Sequence, residues 1–146
     1  MMRRAGLADA DAVRDLTRAA YAPWVPLIGR EPMPMRVDYA RAVLDHRIDL
    51  LEEAGHLVAL IEMVPHPDHL WLENLAVHPD HQGRGLGRHL MRHAEAVASV
   101  LGLTELRLLT NAAFAANLRL YDSLGFAVTA RTPFMGGFTV YFARKL

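Results

Sequence analysis

The chain has no cysteine. That absence removes disulfides, thiolate metal sites and an acyl-cysteine intermediate. Lysine occurs once, at Lys145 beside the C-terminus, a poor position for a Walker lysine or a buried Schiff base. The only serines are Ser99 and Ser123, and neither lies in G-x-S-x-G, which excludes a nucleophile elbow. Neither sign of charge is in excess, with 16 basic and 16 acidic residues, so nothing favours nucleic acid or an anionic membrane as partner. The longest aliphatic runs, such as Leu57 to Ile61, fall far short of the ~20 residues of a membrane helix. Met1-Met2-Arg3-Arg4-Ala5-Gly6 lacks the apolar core of a secretory signal. A cytoplasmic protein is expected, whose chemistry must rest on carboxylates, histidine, tyrosine and backbone amides.

What is present fits one domain over residues 1–146. The chain is 52% hydrophobic and 22% charged, an ordinary globular balance at a length typical of single domains. Helical spacing runs from Ala8 to Tyr21 through Ala12, Val13, Leu16 and Ala19/Ala20. Pro23, Pro26, Pro32 and Pro34 then forbid one continuous helix from Tyr21 to Met35. Helical spacing returns over Val37–Arg47. Asp49–Glu53, His56–Val64 and His69–His78 read as consecutive strands. Leu86 to Leu101 is the clearest helix, with Leu86, Leu90, Ala94, Val97, Ala98 and Leu101 on one face and Gly102 as its stop. Glu105–Thr110 reads as a strand and Ala112–Leu124 as a helix ended by Gly125. Phe126–Arg131 and Phe138–Arg144 read as a hairpin across Gly136-Gly137. This order predicts a mixed α/β (α+β) domain, antiparallel in its first half with a crossover in its second.

Gln82-Gly83-Arg84-Gly85-Leu86-Gly87 lies between a strand and a helix. Glycine weakens a helix start unless the backbone must approach something closely. The unpaired N–H groups and partial positive charge of a helix N-terminus attract phosphate. A tight turn without ligand is the plain alternative. The dinucleotide fingerprint fails because Arg88 stands where Gly or Ala is needed, and the P-loop fails for want of Gly-Lys-Ser/Thr.

The segment from Trp71-Leu72-Glu73-Asn74-Leu75-Ala76-Val77-His78-Pro79 through Gln82-Gly83-Arg84-Gly85-Leu86-Gly87 resembles the acetyl-CoA-binding motif of the GCN5-related N-acetyltransferase family. Asn117 to Phe126, with Leu120-Tyr121 and Gly125-Phe126, resembles that family's Leu-Tyr-x-x-x-Gly-Phe segment. The resemblance implies a single-domain fold of six or seven strands flanked by four helices, with splayed central strands. It implies acetyl-CoA as co-substrate, without metal, and direct acetyl transfer to a primary amine in a ternary complex. It assigns the main chain of Leu75, Ala76 and Val77 to the pantetheine arm. The stretch Gln82, Gly83, Arg84, Gly85, Leu86, Gly87 and Arg88 is assigned to the pyrophosphate. Phe114 departs from the asparagine many members carry, and Asn117 is the candidate to replace that cofactor contact. A module that binds acyl-CoA without turnover is the alternative.

Acyl transfer needs a neutral amine, yet a lysine-like amine has a pKa of ~10.4, and the leaving thiolate, near ~8.5, must regain a proton. The family places a tyrosine beside the sulfur, which makes Tyr121 the expected acid. Glu73 shares a strand face with Trp71, Leu75 and Val77 and is the expected base or acceptor-binding residue, acting through water or with partial burial. Tyr21, Trp24, Met33 and Met35, near Arg30 and Glu31, are expected to meet the acceptor, a small amine, amino acid or protein amine. Alternatively Trp24 and the methionines close the core. His-Pro-Asp-His occurs at His66–His69 and again at His78–His81, but a strand between the copies separates them by up to ~40 Å. His89 and His93 are spaced i,i+4, with no carboxylate partner evident. No metal site is expected. The last hairpin, with alternating Phe138, Val140 and Phe142, suits either a homodimer or core closure.

Overall fold

The change from helical to two-residue periodicity near Arg47 marks the start of the main sheet. The structure, a computed structural model, describes residues 2–146. Strands β1 (Met2–Arg4), β2 (Arg47–Glu53), β3 (His56–Pro65), β4 (Leu70–Val77), β5 (Glu105–Asn111), β6 (Ala127–Phe134) and β7 (Gly137–Lys145) form one sheet in the order β1-β2-β3-β4-β5-β7-β6. Every neighbouring pair is antiparallel except β4 and β5. A parallel pair cannot be closed by a hairpin, so the chain crosses over through a helix.

The helices are α1 (Ala10–Tyr21), a single turn α2 (Val25–Ile28), α3 (Tyr39–Asp45), α4 (Leu86–Val100) and α5 (Ala115–Ser123). Asp38 caps α3 by accepting from the backbone N–H groups of Ala40 and Arg41. Val13, Leu16 and Ala20 of α1 and Tyr39 and Val43 of α3 pack on one sheet face against Ile48, Leu50, Leu60 and Ala76. Leu90, Met91, Ala94 and Ala98 of α4 and Tyr121 of α5 pack on the other, against Leu51, Ala59, Ile61, Leu106 and Phe142. Each of the buried Val, Leu, Ile, Met and Phe side chains among them contributes about 1.5–3 kcal/mol on burial. The sheet is therefore covered on both faces, except that every residue of the edge strand β6 is exposed.

Two irregularities position the site. The β3–β4 register passes from Glu62↔Asn74 to Met63↔Leu72, which leaves Glu73 as the extra residue of a bulge. The β4–β5 ladder consists of Leu70↔Leu106 and Trp71↔Arg107. Beyond Trp71 the two strands part, while β3 still pairs with β4 as far as Val77. The splay expected of the central strands is thus present, and it begins at the bulge.

Two sequence expectations need correction, and one strand carries no sequence signal. Leu101 is 45% exposed, because it is the C-cap where the chain leaves α4 toward Gly102 at φ +72. The last hairpin turns on Met135-Gly136, with φ +46 and +82, and not on Gly136-Gly137. A two-residue type I′ turn needs positive φ at both central positions, and Gly137 already pairs with Phe134 as the first residue of β7. Strand β1 was not anticipated, since three residues carry no legible period; it pairs with Asp49, Leu50 and Leu51 of β2.

Candidate active site

At the C-terminal end of β4 the chain passes through the glycine-rich segment into α4. Gly83 and Gly85 both have φ +78. A Cβ at Gly85 would meet nothing within 4 Å, so the left-handed backbone, and no packing neighbour, demands glycine there. Gly85 is the N-cap of α4 and supplies no side-chain cap, so the first amides of the helix are left for another partner. A Cβ at Gly87 would lie 3.6 Å from Leu120, which makes that glycine a contact between α4 and α5.

These amides open on a cleft of about 380 Å³. Leu75, Ala76, Val77, Gln82, Gly83, Gly85, Leu86, Gly87, Arg88, Asn117 and Tyr121 line it, with Tyr21 and Trp24 at one side. No Asp or Glu is among the lining residues. Opening the strands leaves the β5-facing edge of β4 free beside the helix start. Arg84 is the one residue of the glycine segment turned elsewhere: its guanidinium donates to both oxygens of Glu53, at 2.8 and 2.9 Å, and lies 2.6 Å from His81 Nδ1. That pairing holds the Glu53 carboxyl below its ordinary range. Arg88 remains at the cleft, donating to Ser123 Oγ at 3.0 Å.

Tyr121 is buried between Phe126 and Phe142, with ring centroids 5.9 and 5.6 Å away. Its hydroxyl is pushed up to about 12 by burial alone, so it stays protonated throughout the neutral range. Asn117, one turn earlier on α5, donates to Thr110 Oγ1 at 3.3 Å and faces the same cleft. Phe114, at the N-cap of α5, packs on Trp24 with ring centroids 4.4 Å apart and the planes tilted by 32°.

That aromatic pair divides the cleft from a second, smaller cavity of about 100 Å³. The second cavity collects Tyr21, Ile28, Arg30, Met33 and the flanking prolines, Glu73 at the bulge, Leu109 to Asn111 from β5, and Phe134 with Thr139 from the last hairpin. Tyr21 lines both cavities. Its hydroxyl donates to Asn74 Oδ1 at 3.0 Å, and burial raises its pKa strongly. Glu73 does share a face with Trp71, whose indole N–H donates to it at 2.7 Å. Leu75 and Val77 do not join them: they pack with the α4-side core, as Leu70 and Leu72 do, whereas Ala76 packs with the α1-side core, so the bulge exchanges the faces and leaves Glu73 exposed. Met33 lines the smaller cavity. Met35 lines neither, being 7% exposed within the core, because the short 3₁₀ turn Met33–Arg36 points it inward.

Polar groups buried in the strands escaped the sequence reading. Asn74 donates to Thr17 Oγ1 and to the Tyr39 hydroxyl. Its cross-strand partner Glu62, 2% exposed, lies 2.6 Å from His46 Nδ1, and burial raises its carboxyl above the ordinary range. On the opposite face Asp49 lies 2.6 Å from His93 Nε2 and accepts from Arg47 at 3.0 Å. His93 therefore has the carboxylate partner that helix spacing alone did not reveal, supplied by β2. The available signal was one acid inside each apolar run, Ile48-Asp49-Leu50 and Ile61-Glu62-Met63. The two His-Pro-Asp-His copies are used locally: His66 stacks on His69, which pairs with Asp68, and His78 meets His81 edge-on. Among the described residues no group of three or more His, Cys, Asp or Glu could hold a metal ion, and no helix is long and apolar enough to cross a membrane.

The sequence and the fold both have counterparts among known proteins. The bS18-alanine N-acetyltransferase of Salmonella typhimurium is 46% identical over 59 residues, 40% of this chain and 40% of that protein. The L-amino acid N-acyltransferase MnaT of Escherichia coli is 43% identical over 60 residues, 41% of this chain and 35% of that protein. The match thus spans well under half the length of these curated relatives. Among solved structures, a PaiA N-acetyltransferase from Thermoplasma acidophilum, in complex with coenzyme A, superposes with a TM-score of 0.85 at 18% identity, covering 100% of this chain and 98% of that one. The ribosomal-protein-S18-alanine N-acetyltransferase of Escherichia coli gives 0.80 at 24% identity, over 99% and 92% of the chains. The profile described as the Acetyltransferase (GNAT) family matches residues 11–126. With most of its length inside that profile, the chain belongs to the GNAT acetyltransferase family.

Proposed function

We propose that this chain is an acetyl-CoA-dependent N-acetyltransferase that passes acetyl directly to a primary amine in a ternary complex. One observation carries the reading: a free strand edge, an uncapped helix start and a protonated tyrosine hydroxyl line one carboxylate-free cleft. An elongated anionic thioester fits those groups. The unpaired edge at Leu75–Val77 can exchange main-chain hydrogen bonds with an amide-bearing arm. The amides of Gln82 to Arg88, with the Arg88 guanidinium, suit a pyrophosphate. The Arg84 side chain, held by Glu53, contributes only its backbone in this arrangement, and Asn117 takes the contact that Phe114 cannot make. Bound acetyl-CoA supplies the activated acetyl group.

The residues then divide the proton work. Transfer forms a nitrogen–carbon bond and breaks a carbon–sulfur bond, so an ammonium acceptor loses two protons. Glu73, reached by solvent, takes one through water and releases it. The second balances the proton gained by sulfur: Tyr121 donates to sulfur, and the proton lost from the amine restores its hydroxyl. At about 12 against ~8.5 for a thiol, complete transfer from the tyrosine is uphill. Its hydroxyl therefore acts first as a hydrogen-bond donor to charge growing on sulfur. Tyr21 and Trp24 lie between cleft and cavity, where the acceptor must reach across. A panel of amines with acetyl-CoA, read by thiol release and by the acetyl-CoA thermal shift, tests the reading. A shift without release from any amine would mean a binding module without turnover, and no shift would reject the cofactor.

A further inference from the structure

We infer that the smaller cavity is a zwitterion site, in which Glu73 receives the ammonium and Arg30 the carboxylate of a free α-amino acid. This rests on the acetyl-transfer reading above and narrows its acceptor to one class.

Among the described residues, two buried side-chain polar atoms have no hydrogen-bond partner, Arg30 Nε and Asp49 Oδ1. Asp49 sits beneath α4 with His93 and Arg47 already on its other oxygen, and it lines neither cavity. Arg30 does line one. Its Nη1 donates to the Glu31 carbonyl at 3.3 Å. The neighbouring Glu31 carboxylate is taken by Arg18 at 3.0 Å. The guanidinium also packs 5.5 Å from the centroid of the Phe134 ring. Nε itself is enclosed by protein, so the guanidinium meets the cavity through its terminal nitrogens, of which Nη2 makes no hydrogen bond among the described residues. A carboxylate approaching end-on, accepting from those terminal nitrogens, is a partner that an arginine fork fits well.

Glu73 lines the same cavity. One of its oxygens accepts from Trp71, and among the described residues no ion pair joins it to Arg30. Two opposite charges thus border one small space without neutralising each other. A ligand bearing both charges satisfies both. A diamine leaves Arg30 unmatched, and a peptide N-terminus offers it a neutral amide in place of a carboxylate. Ile28, Met33, Leu109 and Phe134 form an apolar part of the wall, beside the polar Thr110, Asn111 and Thr139, and that apolar part suits an amino-acid side chain such as leucine or methionine. Glu73 is two residues before Leu75, so an ammonium held there lies next to the cleft where the thioester would sit.

The deciding comparison is acetylation of free leucine and methionine against leucinamide, methioninamide, putrescine and an alanine-headed peptide. Without its own carboxylate, the amide's α-amine is the less basic, with a pKa nearer ~8. Intrinsic reactivity therefore favours the amide, and the opposite preference must come from the site. Wild type is expected to prefer acid over amide by about 10- to 100-fold in kcat/KM, the range of one charged hydrogen-bonded contact. Arg30→Gln should erase that preference through KM for the acid, leave the amide within about twofold and keep the acetyl-CoA thermal shift. Arg30→Lys, charged but without the fork, should fall between. Equal use of acid and amide by wild type overturns the inference even if neither variant folds. So does an Arg30→Gln enzyme that treats the acid as wild type does, or that loses acid and amide alike. Release with putrescine or peptide but not with amino acids overturns it while the acetyl-transfer reading survives. Release with no amine at all removes both.

Discussion

The two cavities share Tyr21 and a wall of Trp24 and Phe114, yet they are built in opposite ways. The larger is a main-chain site: a strand edge, two left-handed glycines and an uncapped helix start, nearly all from residues 75–88, completed by one face of α5. The smaller is a side-chain site, assembled from the proline-rich segment, the β4 bulge, the end of β5 and the tip of the last hairpin. The cleft holds no carboxylate, whereas the cavity holds both signs of charge. Backbone recognises a ligand's invariant parts and tolerates sequence change around it. Side chains on loops discriminate, and they are where specificity can be altered without loss of the fold.

The strongest test of that division is Tyr121→Phe. Turnover should fall about 10²- to 10⁴-fold, the span of a lost acid, while acetyl-CoA affinity stays near wild type. If affinity and turnover both hold, Tyr121 is a packing residue; if both collapse, it belongs to the binding surface of the cleft. Gly85→Val comes next. Ligand at ~100 times its dissociation constant adds about 2.7 kcal/mol to stability, and the variant should lose that increment. A β-branched residue at φ +78 distorts the helix start and crowds the ligand. Circular dichroism must show a folded variant, since unfolding would make the glycine structural.

A smaller effect probes the polar layer beneath the cavity. Burial raises the Glu62 pKa, so the folded state binds that proton more tightly than the unfolded state does. The stability associated with this group is complete below the ordinary carboxylate range and is lost as pH rises through the raised folded value. The free-energy difference between wild type and Glu62→Gln should therefore move against wild type by on the order of 1 kcal/mol as pH climbs from 4 toward 7. Denaturant melts across that range would show a constant difference if His46 fully offsets the burial. The smallest change is expected at the hairpin tip. Met135 at φ +46 bears the strain of a type I′ turn, and Met135→Asn should stabilise the protein by about 0.5–1 kcal/mol. Because Phe134 borders the cavity, the same variant should leave the acetyl-CoA shift alone, and any kinetic change should appear in the acceptor KM.

Much of the cleft was legible because its parts are consecutive in the chain. Glycines between a strand and an amphipathic helix specify a local backbone, and Asn117 and Tyr121 share a helix face by spacing alone. The side-chain direction of Arg84 was not legible, since its partner Glu53 lies 31 positions away. Met35 could not be told from Met33 without the 3₁₀ turn that buries one and leaves the other at the cavity. Alternation paired Glu73 with Trp71, but the separation of Leu75 and Val77 from that face and the exposure of Glu73 follow from a bulge that only the register with β3 reveals. His93 gained a partner from β2, 44 positions earlier.

The sequence by itself determined the periodicities, the breaks at proline and glycine, the absence of thiol chemistry and the phosphate-suited helix start. Each of these is a property of a few neighbouring residues, fixed by backbone sterics and by the alternation of apolar side chains. Tertiary structure alone decided the parting of β4 from β5, the aromatic wall between the cavities and the placing of Arg30 and Glu73, 43 positions apart in the chain, around one cavity. Those depend on strand register and on which distant surfaces pack together, and no local pattern of residues encodes the distance between groups that the chain has first to bring together.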